Sequence, residues 1–405
     1  MDLKTQPTPA PPSAIQASTV RPNQVMTRFG LHYFFLFGVT ATFIPYLPLF
    51  LKARGFEASQ VGLLLGFFEA AGVCGPLLLG SLADRLGRRR SFLMAATAGF
   101  ALALIPLSTI SLFWLALPFV MLVGFIQKTA IPLADALATS ELPDPARQYG
   151  WIRAIGSLGW VVTLIGIRLL HLVDESSASS MLFYILLFAG LGLLTTIPLP
   201  DHHRPAPRGK LAVPRGDSFD RIFWLWMAVL FMGRLGLAAH YTFFTLYLKD
   251  VFHLQNAAWF NAIGSAAEIP VIFFAGWIVR RFSLTTMMIA AMLAISVRLL
   301  VYAAADSVLQ LALIQVLHAL AFGLFHVASI EFIRRKVDKS LSGTAMAIYV
   351  SLGYGLPALV GSAVGGYIVQ YNGYHSMFLL YSLAPVLSIL CLIPAARKLN
   401  VPPRA

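Results

Sequence analysis

The feature that most constrains this chain is a succession of twelve apolar runs, each close to the ~20 residues that a helix needs to cross a bilayer. They fall at about 29–52, 60–83, 91–110, 112–138, 149–170 and 178–198, then, after a polar stretch, at 222–248, 257–279, 283–304, 308–333, 341–369 and 374–395. Hydrocarbon offers no hydrogen-bond partners, so each run predicts a helix that satisfies its own backbone. Hydrophobic residues make up 58% of the 405, charged residues 12%, and mean hydropathy is +0.76. Such a composition leaves little polar chain for a soluble catalytic domain. The expected fold class is an all-α membrane protein of twelve transmembrane helices in two six-helix bundles, residues 28–198 and 221–396. A linker, 199–220, joins them, and tails at 1–27 and 397–405 flank them. The first tail carries Pro7, Pro9, Pro11, Pro12 and Pro22 and reads as disordered.

A net charge of +13 raises the question of nucleic acid, but the positions of the basic residues answer it. Of the 30 lysines and arginines, 22 fall in the tails, the linker and alternate loops on one side, against Lys52, Arg54 and Lys249 on the other. That asymmetry orients a multispanning protein with both termini cytoplasmic, expected in the cell inner (cytoplasmic) membrane, and no nucleic-acid partner is expected. Cys74 and Cys391 both lie in apolar runs, so no disulfide or cysteine metal centre is expected. Walker and G-x-S-x-G patterns are missing from the sequence, which argues against ATP-driven transport by this chain and against nucleophile-elbow hydrolysis. No cofactor is expected beyond a proton as coupling ion.

The halves echo each other. Leu49-Phe50-Leu51-Lys52 closes the first run and Leu246-Tyr247-Leu248-Lys249 the seventh. Ser157-Leu158-Gly159-Trp160 in the fifth matches Ser351-Leu352-Gly353-Tyr354 in the eleventh, and the second and eighth runs each hold one central glutamate. Three echoes in order indicate a duplicated six-helix unit with a solute site between the copies.

Between the second and third runs stands Gly80-Ser81-Leu82-Ala83-Asp84-Arg85-Leu86-Gly87-Arg88-Arg89-Arg90. It resembles the G-x-x-x-D-R-x-G-R-R signature of the major facilitator superfamily. The resemblance implies that superfamily's fold and a gate made of Gly80, Asp84, Arg85, Gly87 and Arg88. Gly80 would allow close helix approach, Asp84 would sit against a helix amino terminus across the seam between halves, and the arginines would anchor to anionic lipid headgroups. The counterpart at Gly276 to Arg281 lacks the aspartate. In the tenth run, Gln315-Val316-Leu317-His318-Ala319-Leu320-Ala321-Phe322-Gly323, running on to His326, resembles the phenylpropionate permease branch, as does Tyr149-Gly150-Trp151-Ile152-Arg153 in the fifth. That branch is similar to the lactose permease group, and the likeness implies proton-coupled uptake of a small organic solute.

A charge at the centre of a membrane helix costs about 2.5–3.5 kcal/mol on insertion scales, so such residues are functional candidates. Glu69 lies on a stripe with Gly62, Gly66, Val73, Pro76 and Gly80 and therefore faces protein or a cavity. Glu268 reads either as a proton carrier or as the structural partner of Arg298. Gln315, His318, Phe322 and His326 share a face at helical spacing, and a buried imidazole suits a proton relay as well as it suits a bond between helices. Glu69, Glu268, Arg298, His318 and His326 form the proton-coupling set. Asp135 and Arg153 lie at one depth and predict a salt bridge, structural or part of the solute site, and Asp135 joins the gate set. Lys128, seven residues before Asp135, would meet Glu69 or a solute carboxylate. Arg234 has Tyr241 on its own face and can hold a carboxylate in bidentate fashion.

Lys128, Arg153, Arg234, Tyr241 and Gln315 form the solute-binding set. Central basic residues outnumber central acids four to three, which favours an anionic solute, and an aryl monocarboxylate fits the aromatic neighbours. The expected protein is a monomeric, non-enzymatic proton symporter importing such a solute by alternating access. Three rival readings stand beside it: a proton-driven efflux antiporter, a symporter of neutral nucleosides or sugars, and a membrane-embedded enzyme or receptor.

Overall fold

The computed structural model describes residues 22–202, 219–255, 257–338 and 341–399. Twelve helical spans cross in alternation. Span 1 is Pro22–Phe43 continued by Leu47–Ala53, and span 2 runs through Ala58–Gly75, Pro76–Gly80 and Ser81–Leu86. Spans 3 to 6 are Arg89–Leu107, Phe113–Glu141, Pro145–Leu169 and Ala178–Thr196. Span 7 is Arg221–Asp250, and span 8 is Ala257–Phe273 plus Ala275–Arg281, bent by 63°. Spans 9 and 10 are Leu284–Ala304 and Val308–Lys336. Spans 11 and 12 form one unbroken helical stretch except at Gly373, whose φ of +81° and ψ of 171° turn the chain back. That left-handed backbone suits glycine, which has no Cβ to clash.

The span starts are chemically marked. Asp144, Ser177, Asp220, Ser283 and Ser307 each accept a backbone N–H of the following first turn, the usual satisfaction of an orphan donor. Glu57 and Gln60 form a reciprocal capping box at the start of span 2. Three boundaries depart from expectation. Pro22 to Thr27, expected in a disordered tail, are the opening turns of span 1, with Pro22 at its first position, where a missing N–H removes no bond. Residues 397–399, expected as tail, continue the last helix. The expected linker begins with fixed residues: Arg90 donates to the Leu199 carbonyl at 2.9 Å, and Glu141 receives the His202 N–H at 2.6 Å. The rest of the linker and most of both tails lie outside the described residues.

In the first half, spans 1, 5 and 6 pack together, as do spans 2, 3 and 4; in the second half, span 7 packs on spans 11 and 12, and span 10 on spans 8 and 9. Between halves, span 2 runs along span 11 and span 5 meets span 8. With twelve crossings both described ends share one face, here the terminal face; the other is the far face.

The halves are closest on the far side. A Cβ at Gly62 would lie 2.2 Å from the Ser362 carbonyl, and one at Gly366 would lie 2.5 Å from that of Ala58. Near the terminal face the same two helices part: a Cβ at Gly80 or Gly343 would meet nothing within 4 Å. Gly80 therefore makes no close helix approach here, contrary to its sequence reading.

Candidate functional site

A cavity of about 710 Å³ opens between the halves, within the range of small-molecule sites. Spans 1, 2 and 4 line one wall; spans 7, 10 and 11 line the other. Three short π-type turns edge it, at Pro76–Gly80, Ala319–Leu324 and Ser351–Gly355. Such turns re-aim side chains at functional sites.

On the first wall Lys128 Nζ donates to Glu69 Oε1 at 2.8 Å and lies 5.2 Å from the Phe68 ring centroid. The lysine stem fits because residue 72 is glycine: a Cβ there would come within 2.5 Å of Lys128 Cγ. Of the two partners foreseen for Lys128, the structure holds Glu69.

On the second wall the Arg234 guanidinium is packed between two phenol faces, 4.8 Å from the Tyr241 ring and 4.2 Å from that of Tyr354. The residue is 8% exposed, and its Nε and Nη1 are buried with no hydrogen-bond partner. Cation–π attraction offsets part of that deficit, but buried donors without acceptors still cost about 1–3 kcal/mol each. Beside it, His326 Nδ1 lies 3.2 Å from Tyr354 Oη and 3.3 Å from Tyr349 Oη, and the Tyr349 hydroxyl donates to that of Tyr354 at 3.1 Å. The rings of His318, Phe322 and His326 stack in sequence, at 5.6 and 5.9 Å. The face foreseen in span 10 thus exists for these three.

Behind that wall lies a polar cluster. Arg298 donates from Nη1 to His318 Nδ1 at 3.0 Å, and from Nη2 to Tyr302 Oη and Gln315 Oε1 at 2.9 Å each. Its Nη2 also lies 3.5 Å from His240 Nε2. A guanidinium only donates, so Nδ1 of His318 accepts, and the ring proton of neutral His318 belongs on Nε2. That atom lies 3.7 Å from Glu268 Oε2.

Two expectations change. The partner of Arg298 is His318, which stands between it and Glu268. Gln315, expected to bind solute, is 1% exposed and anchors Arg298 and Tyr302 away from the cavity lining.

Arg153 and Asp135 pair at 3.6 Å, as their depth suggested. Tyr33 donates to the same carboxylate at 2.6 Å, and the Arg153 guanidinium lies 4.9 Å from the Phe37 ring. Neither charge lines the cavity. In the signature loop Gly87 takes a left-handed φ of +63°, while Arg85 and Arg88 are exposed. Asp84 accepts from Arg89 Nε at 2.7 Å, and Arg89 also donates to the Ala136 carbonyl at 2.8 Å. Asp84 therefore pairs inside its own half, where a helix terminus across the seam was expected.

The sequence reading missed His240, Tyr302, Tyr349 and Tyr354, and a polar seam on the far face. There Lys52 pairs with Asp250, which also accepts from Tyr374 at 2.6 Å, and Ser59 N–H donates to Gln370 Oε1 at 3.2 Å. Glu175, in the loop before span 6, accepts the N–H of Ala257 at 2.8 Å and of Ala258 at 3.0 Å. Burial pushes its carboxyl above the usual range, while those two N–H groups and Lys249 pull the other way. Paired signals existed for this seam, since Lys52-Ala53 and Lys249-Asp250 close echoing runs.

Two pseudo-repeated helical bundles around a charged central cavity define a secondary transporter of the major facilitator superfamily. The chain belongs to the MFS_1 like family, whose profile matches residues 26–380. It is similar to a maltose permease of Geobacillus stearothermophilus, 24% identical over 92% of this chain and 95% of that protein. It is also similar to the "Probable 3-phenylpropionic acid transporter" of Escherichia coli, 24% identical over 85% and 90% respectively. Among solved structures, the nucleoside transporter NupG shares the fold with a TM-score of 0.78 at 17% identity, over 92% of this chain and 99% of that one.

Proposed function

We propose that the chain is a proton-coupled symporter that imports a small organic anion, an aryl monocarboxylate in the first instance, across the inner membrane, working as a monomer. The observation that carries the anionic solute is Arg234: a cavity-lining guanidinium whose two innermost nitrogens lack acceptors, clasped by two rings that would also flank an aryl group. A carboxylate entering the cavity would supply the missing countercharge. Glu69 and Lys128 already neutralise each other, which leaves Arg234 as the cation with charge to offer.

In this reading Glu268 exchanges the proton, His318 is oriented towards it by Arg298, and rocking of the halves changes the water access of the cluster. The terminal face is cytoplasmic, on the strength of its arginines, and the cavity is then inward-facing. Neither Arg153 nor Gln315 is given to the solute; they brace the helices that carry the site.

The relatives favour a second reading, since they include maltose and raffinose permeases and a nucleoside transporter. Uptake into proteoliposomes under an imposed pH gradient separates the two. Labelled 3-phenylpropionate should accumulate, aryl acids should compete, and the neutral amide, nucleosides and sugars should not. Competition by neutral nucleosides or sugars alone would overturn the anionic reading, and gradient-driven extrusion would make the chain an antiporter. Glu268→Gln should abolish accumulation but spare solute exchange; intact accumulation would remove Glu268 from the proton path.

A further inference from the structure

A buried carboxylate also stands outside the spans, apart from the cavity lining. Glu175 is 5% exposed, sits in the loop between spans 5 and 6, and reaches across the seam to the first turn of span 8. Each of its oxygens takes one backbone N–H, those of Ala257 and Ala258. Orphan donors at a helix start are normally capped from the preceding residues of the same chain segment. Here the cap comes from 82 and 83 residues away, and from the other half.

A second tie runs in the opposite direction, from Lys249 Nζ at the end of span 7 to the main-chain oxygen of Glu175. The ties border a far-face cleft of about 530 Å³ that includes His171 and His253. These two, one from each half, have φ of 50° and 52° and are the non-glycine residues of positive φ among those described. Such backbone is uncommon and gathers at switch regions.

We propose that Glu175 is a latch: its carboxylate, borrowed by span 8 as a helix cap, holds the far face shut and releases whenever the cavity turns to that face. The proposal rests on alternating access but not on which solute or ion is carried. Two features fit a latch better than a fixed brace. The bonds are to backbone donors at a helix end, which water can satisfy once the halves part. The two loop residues of positive φ, one from each half, border the same cleft as these ties.

The test needs no solute. In a variant with Cys74 and Cys391 replaced by serine, Ile44→Cys places one thiol in the cavity lining near the far-side seam. Its labelling by a membrane-impermeant maleimide is timed in vesicles of both orientations. Hydrogen bonds to a charged group are each worth a factor of ten or more, so Glu175→Ala should raise far-face labelling at least about tenfold while lowering terminal-face labelling. Glu175→Gln, which keeps one acceptor oxygen and presents an NH2 to the other donor, should fall between.

A variant that merely unfolds raises labelling from both faces and shows a lowered melting temperature, which would overturn the latch in favour of a structural brace. Unchanged labelling in both variants would overturn it equally. If labelling shifts as expected while no aryl acid is transported, the latch stands and the solute reading falls.

Discussion

Arg234 shows why a guanidinium and an ammonium are not equivalent in this cavity. Its plane is covered on both sides, by Tyr241 at 4.8 Å and Tyr354 at 4.2 Å, and a lysine at this position would keep the charge but lose the stacking and the paired donors. Arg234→Lys should therefore weaken binding of a carboxylate solute by about tenfold or more, the worth of one charge-assisted bond, and Arg234→Gln should abolish it. Equilibrium binding of 3-phenylpropionate to the purified protein measures both, and unchanged affinity in the lysine variant would place the solute elsewhere. Part of this site was legible in the sequence, because Arg234 and Tyr241 are seven residues apart on one helix and helical geometry brings them to one face. Tyr354 was not, since it comes from span 11 through a π-type turn whose register α-helical spacing does not give. The same limit hid the partner of Arg298: the sequence put Glu268, Arg298 and His318 in one proton-coupling set, but the order in which they touch depends on helix rotation, which a single sequence leaves open.

At the scale of helices, the pairing of spans 2 and 11 is set by glycines. Gly62 and Gly366 let two backbones touch, and their would-be Cβ atoms collide with main chain, at 2.2 Å from Ser362 O and 2.5 Å from Ala58 O. Main chain cannot swing aside as a long side chain can. Gly366→Val should therefore pry the far-face seam apart and lower stability by about 1–3 kcal/mol, the usual cost of overpacking. The expected signature is faster far-face labelling of a cavity cysteine together with slower uptake and a lower melting temperature in detergent. A variant that transports and melts like the parent would show that the seam is not sealed there. The sequence displayed the small-residue stripe of span 2, and so its facing, but read Gly80 as part of the contact. The structure ends the close approach earlier, because the helices splay towards the terminal face and the stripe there borders open space.

Across the whole molecule, the polar contacts between halves found among the described residues gather on the far face, while spans 2 and 11 part towards the terminal face, which in the proposed rocking mechanism is one of its two states. The duplicated pattern of the sequence foretold two bundles and a site between them, but not which end would be shut, since both halves close their first span with lysine and only folding shows that Lys52 finds Asp250 across the seam. This contact allows the working cycle to be interrupted on purpose. In a background lacking the native cysteines, Lys52→Cys combined with Asp250→Cys should be joined by a bifunctional methanethiosulfonate reagent that spans the reach of the lost lysine side chain, and that reducible link would fix the far face closed. Uptake from the far side should stop and return on reduction, while binding of solute from the terminal side persists, because the cavity walls carrying Glu69, Lys128 and Arg234 are untouched. Each single cysteine variant controls for the loss of the ion pair, which at a partly exposed site is worth only about 0–1 kcal/mol. A cross-linked double variant that still imports solute at the parent rate would mean that the halves do not separate at this seam, and the rocking mechanism would then require a hinge elsewhere.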